Sequence, residues 1–343
     1  MARAIQLAKN GLGNTYPNPM VGCVIVHNEK IIGEGYTSAY GGAHAEVNTI
    51  ASVVNKSLLK SAVLYVTLEP CSHHGKTPPC ADLIIKYQIP KIVVGLFDPN
   101  PLVAGTGVEK LKQVGVEVLL NVMEAECREH HKRFLVFQEK KRPYIILKWA
   151  ETQDQFIAPS DENRKSKPEP FWITNANSRQ LVHQWRSEEH AILVGTTTAI
   201  ADNPKLDVRE WKGKNPIRVV LDRELKIPKD FNVFDGSTPT VVFTAIRDTS
   251  LYIESVDYEI IDYSKNIVPQ ILAVLTRLNI TSLLVEGGKQ TVQSFIDLNL
   301  WDEARVFKGK TYFKKGIKAP VLRGQVEKQL KIGNDTLTFY RNA

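Results

Sequence analysis

The stretch His44-Ala45-Glu46, together with Pro70-Cys71 and Cys80, decides how the first half of this chain folds. One imidazole and two thiolates are ligands that a tetrahedral zinc ion prefers. Three protein ligands leave the fourth position to water, which is typical of catalytic zinc sites. An apparent helix over residues 45–54 begins directly after the histidine, and an apolar, strand-like run over residues 62–68 precedes the first cysteine. The pattern therefore predicts a zinc site gathered where strands give way to helices.

Glu46 lies two residues after His44, where its carboxylate can move a proton without occupying the metal. The order H-x-E followed by P-C is the signature of zinc nucleobase deaminases. The chain departs from that signature in one respect, because residues 72–79 separate its two cysteines where the signature has only two residues. A structural zinc is the alternative, and it would need a fourth protein ligand such as His73 or His74.

The predicted zinc ligands lie among longer motifs at residues 15–26, 44–47, 66–80 and 98–105. Together these motifs resemble the bifunctional deaminase and reductase family of riboflavin biosynthesis, whose version of the signature has the long loop between the cysteines. The resemblance implies a cytidine-deaminase-like three-layer α/β/α domain, with zinc held by His44, Cys71 and Cys80. It also implies substrate contacts from four further polar residues: Asn18, His73, Lys76 and Asn100.

Length and composition indicate two domains. The chain has 343 residues, of which 43% are hydrophobic and 24% charged, which is enough for two cores. Strands and helices alternate with short connections up to about residue 138, which favours a layered α/β domain. Lys141-Arg142-Pro143 precedes a new apolar strand. We therefore expect a deaminase domain over residues 1–142 and a second α/β domain over residues 143–343.

The compartment and the partners follow from cysteine usage and charge. No apolar run approaches the ~18 residues of a membrane span, and the first ten residues lack a signal-peptide core. Cys23 and Cys127 are then free thiols, as expected in the cytoplasm. The net charge of +7 invites a nucleic-acid partner, but the Lys and Arg residues are scattered. A phosphorylated small molecule and a phosphate-rich cofactor explain the charge without nucleic acid.

The second half has no cluster of metal ligands, so its chemistry would have to come from an organic cofactor. Its most informative stretch is Leu283-Leu284-Val285-Glu286-Gly287-Gly288, a strand that runs into two glycines and a helix. Glycine lets backbone amides approach a phosphate at a helix N-terminus. The alternative is a simple turn, and the full G-x-G-x-x-G fingerprint of a Rossmann domain is missing.

A wider resemblance covers the second half. Its matching positions are Lys148 with Asp154, Arg186, Leu206, Arg209 and residues 172–174, 178–179, 191–195, 201–204, 216–222 and 285–288. These resemble the reductase half of the same family, which implies a dihydrofolate-reductase-like α/β fold that uses NADPH. The implied cofactor positions are Ala150, Trp172, Thr198, Asp202, Gly288, Lys289, Gln290, Thr291, Val292, Gln293 and Ser294. The implied substrate positions are Arg186, Leu206, Arg209 and Glu286.

Several of these residue types suit their implied roles. Arg186 and Arg209 can hold a phosphate through paired hydrogen bonds, and Trp172 can pack on a planar ring. Surface ion pairs and a core aromatic are the alternatives. Asp202 is a candidate for orienting groups or handling a proton. Two departures from the family concern the substrate loop, where Gln155 replaces a glycine and Pro170 replaces a serine.

The resemblance implies two sequential reactions. The first half would deaminate a phosphoribosylaminopyrimidine by attack of a zinc-activated water, with Glu46 moving the protons. The second half would reduce the ribosyl group of the product to a ribityl chain with hydride from NADPH. The family also implies a homodimer or a higher homo-oligomer. The alternative is a deaminase of single activity whose second half only assembles an oligomer or binds nucleic acid.

Overall fold

The chain divides into two compact units, Met1–Lys141 and Arg142–Ala343. The computed structural model describes residues 1–72, 78–99, 105–160 and 168–342. Within these ranges, no helix combines the length and the apolar character that crossing a membrane requires.

The first unit is built on a five-stranded sheet with the order β2-β1-β3-β4-β5. Its strands are β1 (Gly22–His27), β2 (Lys30–Tyr36), β3 (Val63–Val66), β4 (Lys91–Val94) and β5 (Glu117–Leu119). Strand β1 is antiparallel to β2 and β3, whereas β3, β4 and β5 run parallel. Parallel neighbours need crossover connections, and helices supply them here.

Helices cover both faces of this sheet, so the unit has three layers. The helices are α1 (Ala2–Ala8), α2 (Ala45–Ser52), α3 (Cys80–Lys86), α4 (Thr106–Gln113) and α5 (Glu124–Lys140). Ile50 of α2 and Ile84 of α3 pack with Leu64 in one buried cluster. Phe134 of α5 packs with Leu96 in another, together with α1. The α/β fold predicted for the first half is confirmed.

Three loops leave the sheet of the first unit at the same edge. Gly22, the first residue of β1, is paired with Tyr36 at the end of β2. Its neighbour Cys23 is paired with Val66 at the end of β3. The end of the loop that enters β1 therefore lies beside the beginnings of the loops that follow β2 and β3. They carry Asn18, His44 and Cys71 respectively.

The second unit contains a nine-stranded sheet with the order β11-β10-β9-β8-β12-β6-β13-β16-β15. Its strands are β6 (Tyr144–Glu151), β8 (Ala191–Gly195), β9 (Ile217–Leu221), β10 (Thr240–Thr244), β11 (Asp257–Ile260), β12 (Ser282–Val285), β13 (Glu303–Lys308), β15 (Gln325–Ile332) and β16 (Asp335–Arg341). The seven strands from β11 to β13 in this order are mutually parallel, and the β15–β16 hairpin is antiparallel. The α/β fold predicted for the second half is also confirmed.

Within the described residues, this unit also has four α-helices and a small second sheet. The helices are α6 (Ala176–Glu188), α7 (Thr196–Asp202), α8 (Ile267–Arg277) and α9 (Lys289–Asp297), and the small sheet pairs β7 (Phe156–Pro159) with β14 (Gly316–Lys318). The core lies between the main sheet and the helices, where Ile271 and Leu275 of α8 and Phe295 of α9 pack on Leu283 and Ile145.

The turn between β6 and β7 stores strain at Gln155. This residue has a φ of 65°, in the left-handed region that glycine adopts freely, and its N–H donates to the carbonyl of Thr152 at 3.0 Å. A side chain in this region costs about 1–2 kcal/mol, and glycine loses about 0.5–1 kcal/mol more chain entropy on folding. A glycine at this position would adopt the same backbone conformation without that cost.

We expect Gln155→Gly to raise the free energy of unfolding of the second unit by up to about 1 kcal/mol. All five tryptophans of the chain lie beyond residue 143, so denaturant unfolding followed by tryptophan fluorescence reports on this unit. Gln155→Ala is the control, because alanine keeps the backbone penalty and should bring no comparable gain. Equal stability of the glycine and alanine variants would contradict the explanation.

Candidate zinc and cofactor sites

His44, Cys71 and Cys80 meet at the edge of the first sheet. The Nδ1 atom of His44 lies 3.5 Å from the Sγ of Cys71 and 3.4 Å from the Sγ of Cys80. Bond lengths of about 2.0 and 2.3 Å at a tetrahedral zinc place nitrogen and sulfur about 3.5 Å apart. In the part of the chain that the structure describes, these three residues are the group whose donor atoms could share a metal ion. The donor set and its spacing fit zinc.

Each candidate ligand is positioned by the start of a helix. His44 is the N-cap residue of α2, and Cys80 is the first residue of α3 after Pro79. Cys71 is held against the start of α3, because its Sγ accepts the N–H of Cys80 at 3.3 Å and its carbonyl accepts the N–H of Ala81 at 3.1 Å. Unpaired N–H groups at a helix N-terminus stabilise a neighbouring thiolate.

The two cysteine thiols have their pKa values shifted in opposite directions. Hydrogen bonding from Cys80, with help from His44, lowers the pKa of Cys71 well below that of an ordinary thiol. The same interaction and burial raise the pKa of Cys80, and the Cys71 thiolate raises the pKa of His44. A bound cation would take the place of the shared protons, since metal ligands must be deprotonated.

Glu46 lies in the first turn of α2 and is only 4% exposed. Burial, and then the negative charge of Cys71, raise the pKa of this carboxyl to about 7. A group with a pKa near the working pH can both take and return a proton, which is what general acid–base catalysis requires. The buried carboxyl also neighbours the thiol of Cys80. A buried carboxyl with this pKa, beside the three candidate ligands, has the properties that a proton carrier needs.

The predicted substrate residues of the first unit are only partly described. Asn18 is half-buried in the loop that enters β1, where its N–H donates to the carbonyl of Thr15 at 2.9 Å. His73, Lys76 and Asn100 lie outside the described residues, as does His74, the alternative fourth ligand. Asn18 is thus the one predicted substrate residue that the described structure brings to the edge with the ligands.

Two helices of the second unit begin at the carboxyl ends of neighbouring parallel strands. Strand β8 ends at Gly195 and is followed by α7, while β12 leads through Gly287 and Gly288 into α9. A Cβ at Gly288 would lie 3.0 Å from the Oγ1 of Thr198, and one at Gly195 would lie 2.7 Å from the Oγ1 of Thr291. The two glycines let the starts of α7 and α9 approach each other closely. We call this pair of helix N-termini the candidate cofactor cleft, because helix N-termini of this kind bind the phosphates of dinucleotides.

The other predicted cofactor residues lie on α7, on β6 and in the segment before α6. Asp202 follows Thr198 by four residues on α7, so both lie on one face of the helix. Ala150 is near the end of β6, which is next to β12. Trp172 is 52% exposed, with the guanidinium of Arg179 4.7 Å from its ring centroid, so its indole is available to a planar group.

The run from Gly288 to Ser294 needs one correction. Val292 is fully buried in the core, and its N–H donates to the carbonyl of Gly288, so it supports α9 and does not offer its side chain to a ligand. Gln293 bonds to the backbone of Val321 through both its donor and its acceptor. Ser294 donates to the carbonyl of Thr291. Gln290, at the start of α9, is the exposed member of the run, and Lys289 beside it is half-buried.

Glu286 lies within a buried cluster of charges. Its two carboxylate oxygens accept from the Nε and Nη2 of Arg186, both at 2.9 Å, and one oxygen also lies 3.4 Å from the Nζ of Lys148. Burial alone would raise the pKa of Glu286, but the two cations outweigh it and lower the value to about 2. Burial lowers the pKa of Lys148, and Glu286 opposes that change.

This cluster bears on the expectation that Arg186 and Arg209 hold a phosphate. The paired donors of Arg186, expected to hold a phosphate, face Glu286 in this structure. The remaining Nη1 of Arg186 donates to the carbonyl of Asp207 at 3.3 Å, and the Nη1 of Arg209 lies 2.6 Å from the carboxylate of the same residue. Asp207 therefore brings both arginines to one place. Leu206, just before it, is buried with a φ of 53°.

Two residues of this region have no role in the sequence-based site. Lys148 could have been found, because it is a charge in the middle of the apolar stretch Tyr144-Ile145-Ile146-Leu147-Lys148-Trp149, and a buried charge requires a partner. Asp207 carries no such signal. Its contacts depend on the left-handed backbone at Leu206 and on the position of α6, which no local pattern reveals.

Family models and relatives agree with these two sites. The model for the cytidine and deoxycytidylate deaminase zinc-binding region matches residues 1–96, and the model for the RibD C-terminal domain matches residues 143–329. The chain is thus a zinc-dependent deaminase joined to a reductase. It is 38% identical to the riboflavin biosynthesis protein RibD of Aquifex aeolicus over 99% of this chain and 97% of the relative. The chain belongs to the RibD family of riboflavin biosynthesis proteins.

Solved structures support this assignment over the full length. A deaminase/reductase from Thermotoga maritima matches with a TM-score of 0.90 at 38% identity, covering 100% of this chain and 97% of the other. RibD of Acinetobacter baumannii matches with a TM-score of 0.88 at 32% identity, with the same coverage. RibD of Bacillus amyloliquefaciens is 41% identical over 90% of this chain and 82% of the relative.

The protein is therefore a bifunctional enzyme of riboflavin biosynthesis, a deaminase and a reductase that act on small molecules and use Zn²⁺ and NADPH. The alternative of a deaminase with a non-catalytic second half is not supported, because the family match covers the reductase domain as well.

Proposed function

We propose that the enzyme deaminates 2,5-diamino-6-(5-phosphoribosylamino)pyrimidin-4(3H)-one and then reduces 5-amino-6-(5-phosphoribosylamino)uracil. The Thermotoga maritima relative is described as a diaminohydroxyphosphoribosylaminopyrimidine deaminase and 5-amino-6-(5-phosphoribosylamino)uracil reductase, and it spans this whole chain. The single observation that carries the proposal is the His44, Cys71 and Cys80 triad with a buried carboxyl beside it.

In the deaminase domain, proposed to span residues 1–142, the triad holds the metal. Bound zinc lowers the pKa of a water ligand so that it can act as a nucleophile near neutral pH. Glu46 would move two protons in turn: it takes the first from the attacking water and delivers it to the ring, and it takes the second from the hydroxyl added to the ring and delivers it to the leaving ammonia. Asn18 holds the pyrimidine edge through its amide. His73, Lys76 and Asn100 are proposed to bind the ribose phosphate.

In the reductase domain, proposed to span residues 143–343, NADPH supplies the hydride. Gly288, Lys289, Gln290 and Thr291, with Thr198 and Asp202 across the cleft, hold the cofactor phosphates and ribose. Ala150 and Trp172 flank its rings. The substrate phosphate binds at Arg209 and at the part of Arg186 that Glu286 leaves accessible, next to Leu206. Asp202 is proposed to orient groups or handle a proton.

The finer biological context is also proposed. The substrates are free phosphoribosyl pyrimidines and not nucleic acid, because the described relatives are riboflavin enzymes. The enzyme works in the cytoplasm without membrane attachment, which agrees with its four free cysteines. It is proposed to assemble as a homodimer or a higher homo-oligomer, which light scattering of the purified protein would test.

A two-step assay tests the proposed function. Purified protein should contain about one zinc per chain, release ammonia from the phosphoribosyl diaminopyrimidine and then oxidise NADPH. Supplying the deaminated uracil directly should start NADPH oxidation without ammonia release. Ammonia release without any NADPH oxidation from either substrate would refute the second half of the proposal.

Gly288→Ala tests the cofactor cleft directly. The backbone φ of Gly288 is −62°, so alanine fits the local conformation, but its Cβ would approach the Oγ1 of Thr198. We expect NADPH affinity to fall about tenfold or more, which corresponds to about 1.4 kcal/mol. Titration of the protein with NADPH, followed by tryptophan fluorescence, measures it. Unchanged affinity would place the phosphates elsewhere.

A further inference from the structure

Glu69 is a buried carboxylate next to the segment Pro70-Cys71, and it is only 4% exposed. Its Oε1 accepts the N–H groups of Gly107 and Val108, both at 3.1 Å. Its Oε2 accepts the N–H groups of Gly105 at 3.0 Å and Asp98 at 3.4 Å. Four backbone donors thus occupy the acceptor sites of one carboxylate, which has about four.

These bonds fasten the Cys71 loop to the start of α4. Three of the four donors belong to the residues that begin this helix, where N–H groups have no partner within the helix. The contact is close: a Cβ at Gly107 would lie 2.0 Å from the carbonyl oxygen of Pro70 and 3.4 Å from the Oε1 of Glu69. On the other side of Cys71 in the sequence, the Oγ of Ser72 lies 2.5 Å from the Oγ1 of Thr106, the first residue of α4.

Cys71 is therefore held from two directions. Its sulfur and carbonyl are bonded to the start of α3, and Glu69 before it and Ser72 after it are bonded to the start of α4. Lys110 of α4 and Asp82 of α3 form an ion pair that links the two helices. A ligand loop that is fixed before the metal arrives loses less conformational entropy on binding.

We propose that Glu69 is a positioning residue for the metal centre: by bonding the start of α4 it fixes the Cys71 loop and thereby sets the zinc affinity. The proposal rests on the proposed ligand set of His44, Cys71 and Cys80. Glu69 acts through Cys71 and touches neither the metal nor the substrate. Nothing in the deaminase signature demands a carboxylate here, since the signature begins at the proline that follows it.

Glu69→Gln removes the interaction while keeping the shape of the side chain. The amide nitrogen of glutamine is a donor, so one pair of backbone N–H groups would face another donor and lose its acceptor. Loss of a residue that orients a ligand typically costs about 10- to 100-fold in metal affinity. We expect the dissociation constant for zinc, measured by competition with a chromogenic chelator, to rise by about that factor.

Thermal unfolding separates positioning from a merely structural role. Calorimetry of the full-length protein with zinc and with chelator gives the stabilisation that zinc brings to the first unit. We expect this zinc-dependent shift to shrink in Glu69→Gln. Glu109→Gln, an exposed carboxyl in the first turn of the same helix, is the matched control and should keep the wild-type shift.

Two results would overturn the proposal or its basis. If Glu69→Gln unfolds at a lower temperature but binds zinc as tightly as the wild type, Glu69 is structural only. If Cys71→Ser keeps its zinc, the ligand set itself is wrong, which is a separate failure. In Gly107→Ala the added methyl group would push α4 away from the carbonyl of Pro70, so this variant should also weaken zinc binding. It decides the question if Glu69→Gln does not fold.

Discussion

Glu46→Gln is expected to keep zinc bound while ammonia release slows by about 10²- to 10⁴-fold, the usual contribution of a general acid–base group. The three ligands of the metal are other residues, so the substitution leaves His44, Cys71 and Cys80 unchanged. Glutamine has nearly the same shape as glutamate but cannot carry the proton. The buried position of Glu46 means that bulk water does not easily replace it. Measuring zinc content and ammonia release on the same sample separates the two effects.

Cys80→Ser is the comparison variant, because it should lose both zinc and ammonia release. NADPH oxidation with the deaminated uracil should persist in Glu46→Gln, since the reductase residues lie in the other unit. Deamination at the wild-type rate by zinc-loaded Glu46→Gln would refute the role assigned to this carboxyl.

The two sites differ in how much of them the sequence reveals. The proposed ligand His44 and the proposed proton carrier Glu46 are two residues apart, and Cys71 lies five residues after the end of β3, so local spacing was enough to predict a zinc site. The reductase cleft is assembled from Gly195 and Gly288, which are far apart in sequence and meet only because β8 and β12 are neighbours. Its Gly-Gly stretch alone was weak evidence, and family resemblance had to supply the rest.

Some elements escaped sequence reasoning for identifiable reasons. Helix α7 begins with three threonines, which are β-branched and poor helix formers, yet packing places it between the strand and the cleft. The edge strand β11 reads Asp257-Tyr258-Glu259-Ile260, which alternates over only four residues and includes two charges, and it has a neighbour on one side only. Glu69 escaped because the four amides that it binds come from residues about 30 to 40 positions later.

The buried charges of the reductase unit give the second large prediction. Glu286→Gln should lower the free energy of unfolding of this unit by about 3–5 kcal/mol, since it leaves two buried cations without their counter-charge. Arg186 and Lys148 would then repel each other across the site. NADPH-dependent reduction should also be lost, because the cluster borders the glycines of the cofactor cleft. Denaturant unfolding followed by tryptophan fluorescence measures the stability, and ammonia release should remain.

Glu210→Gln is the matched control. Its carboxylate is 41% exposed and lies 3.9 Å from His183, on the loop that also carries Arg209. An exposed substitution of this kind usually changes stability by no more than about 0.5 kcal/mol. If the free energy of unfolding fell by the same small amount in both variants, the charge cluster around Glu286 would not be a major source of stability.

The pH dependence distinguishes charge repulsion from lost packing in Glu286→Gln. Burial already lowers the pKa of Lys148, and Glu286 opposes that shift, so removing the carboxylate should lower the pKa further. The unfolded chain keeps its lysine protonated up to about pH 10.4. Between the folded and the unfolded pKa the unfolded state binds more protons, so stability rises with pH across that window. The stability deficit relative to the wild type should therefore shrink as the pH rises from neutral towards the pKa of an unfolded lysine, because Lys148 discharges at a lower pH in the folded variant. A stability deficit that stays constant over this pH range would mean that the substitution acts through lost packing and not through the uncompensated charge that it leaves.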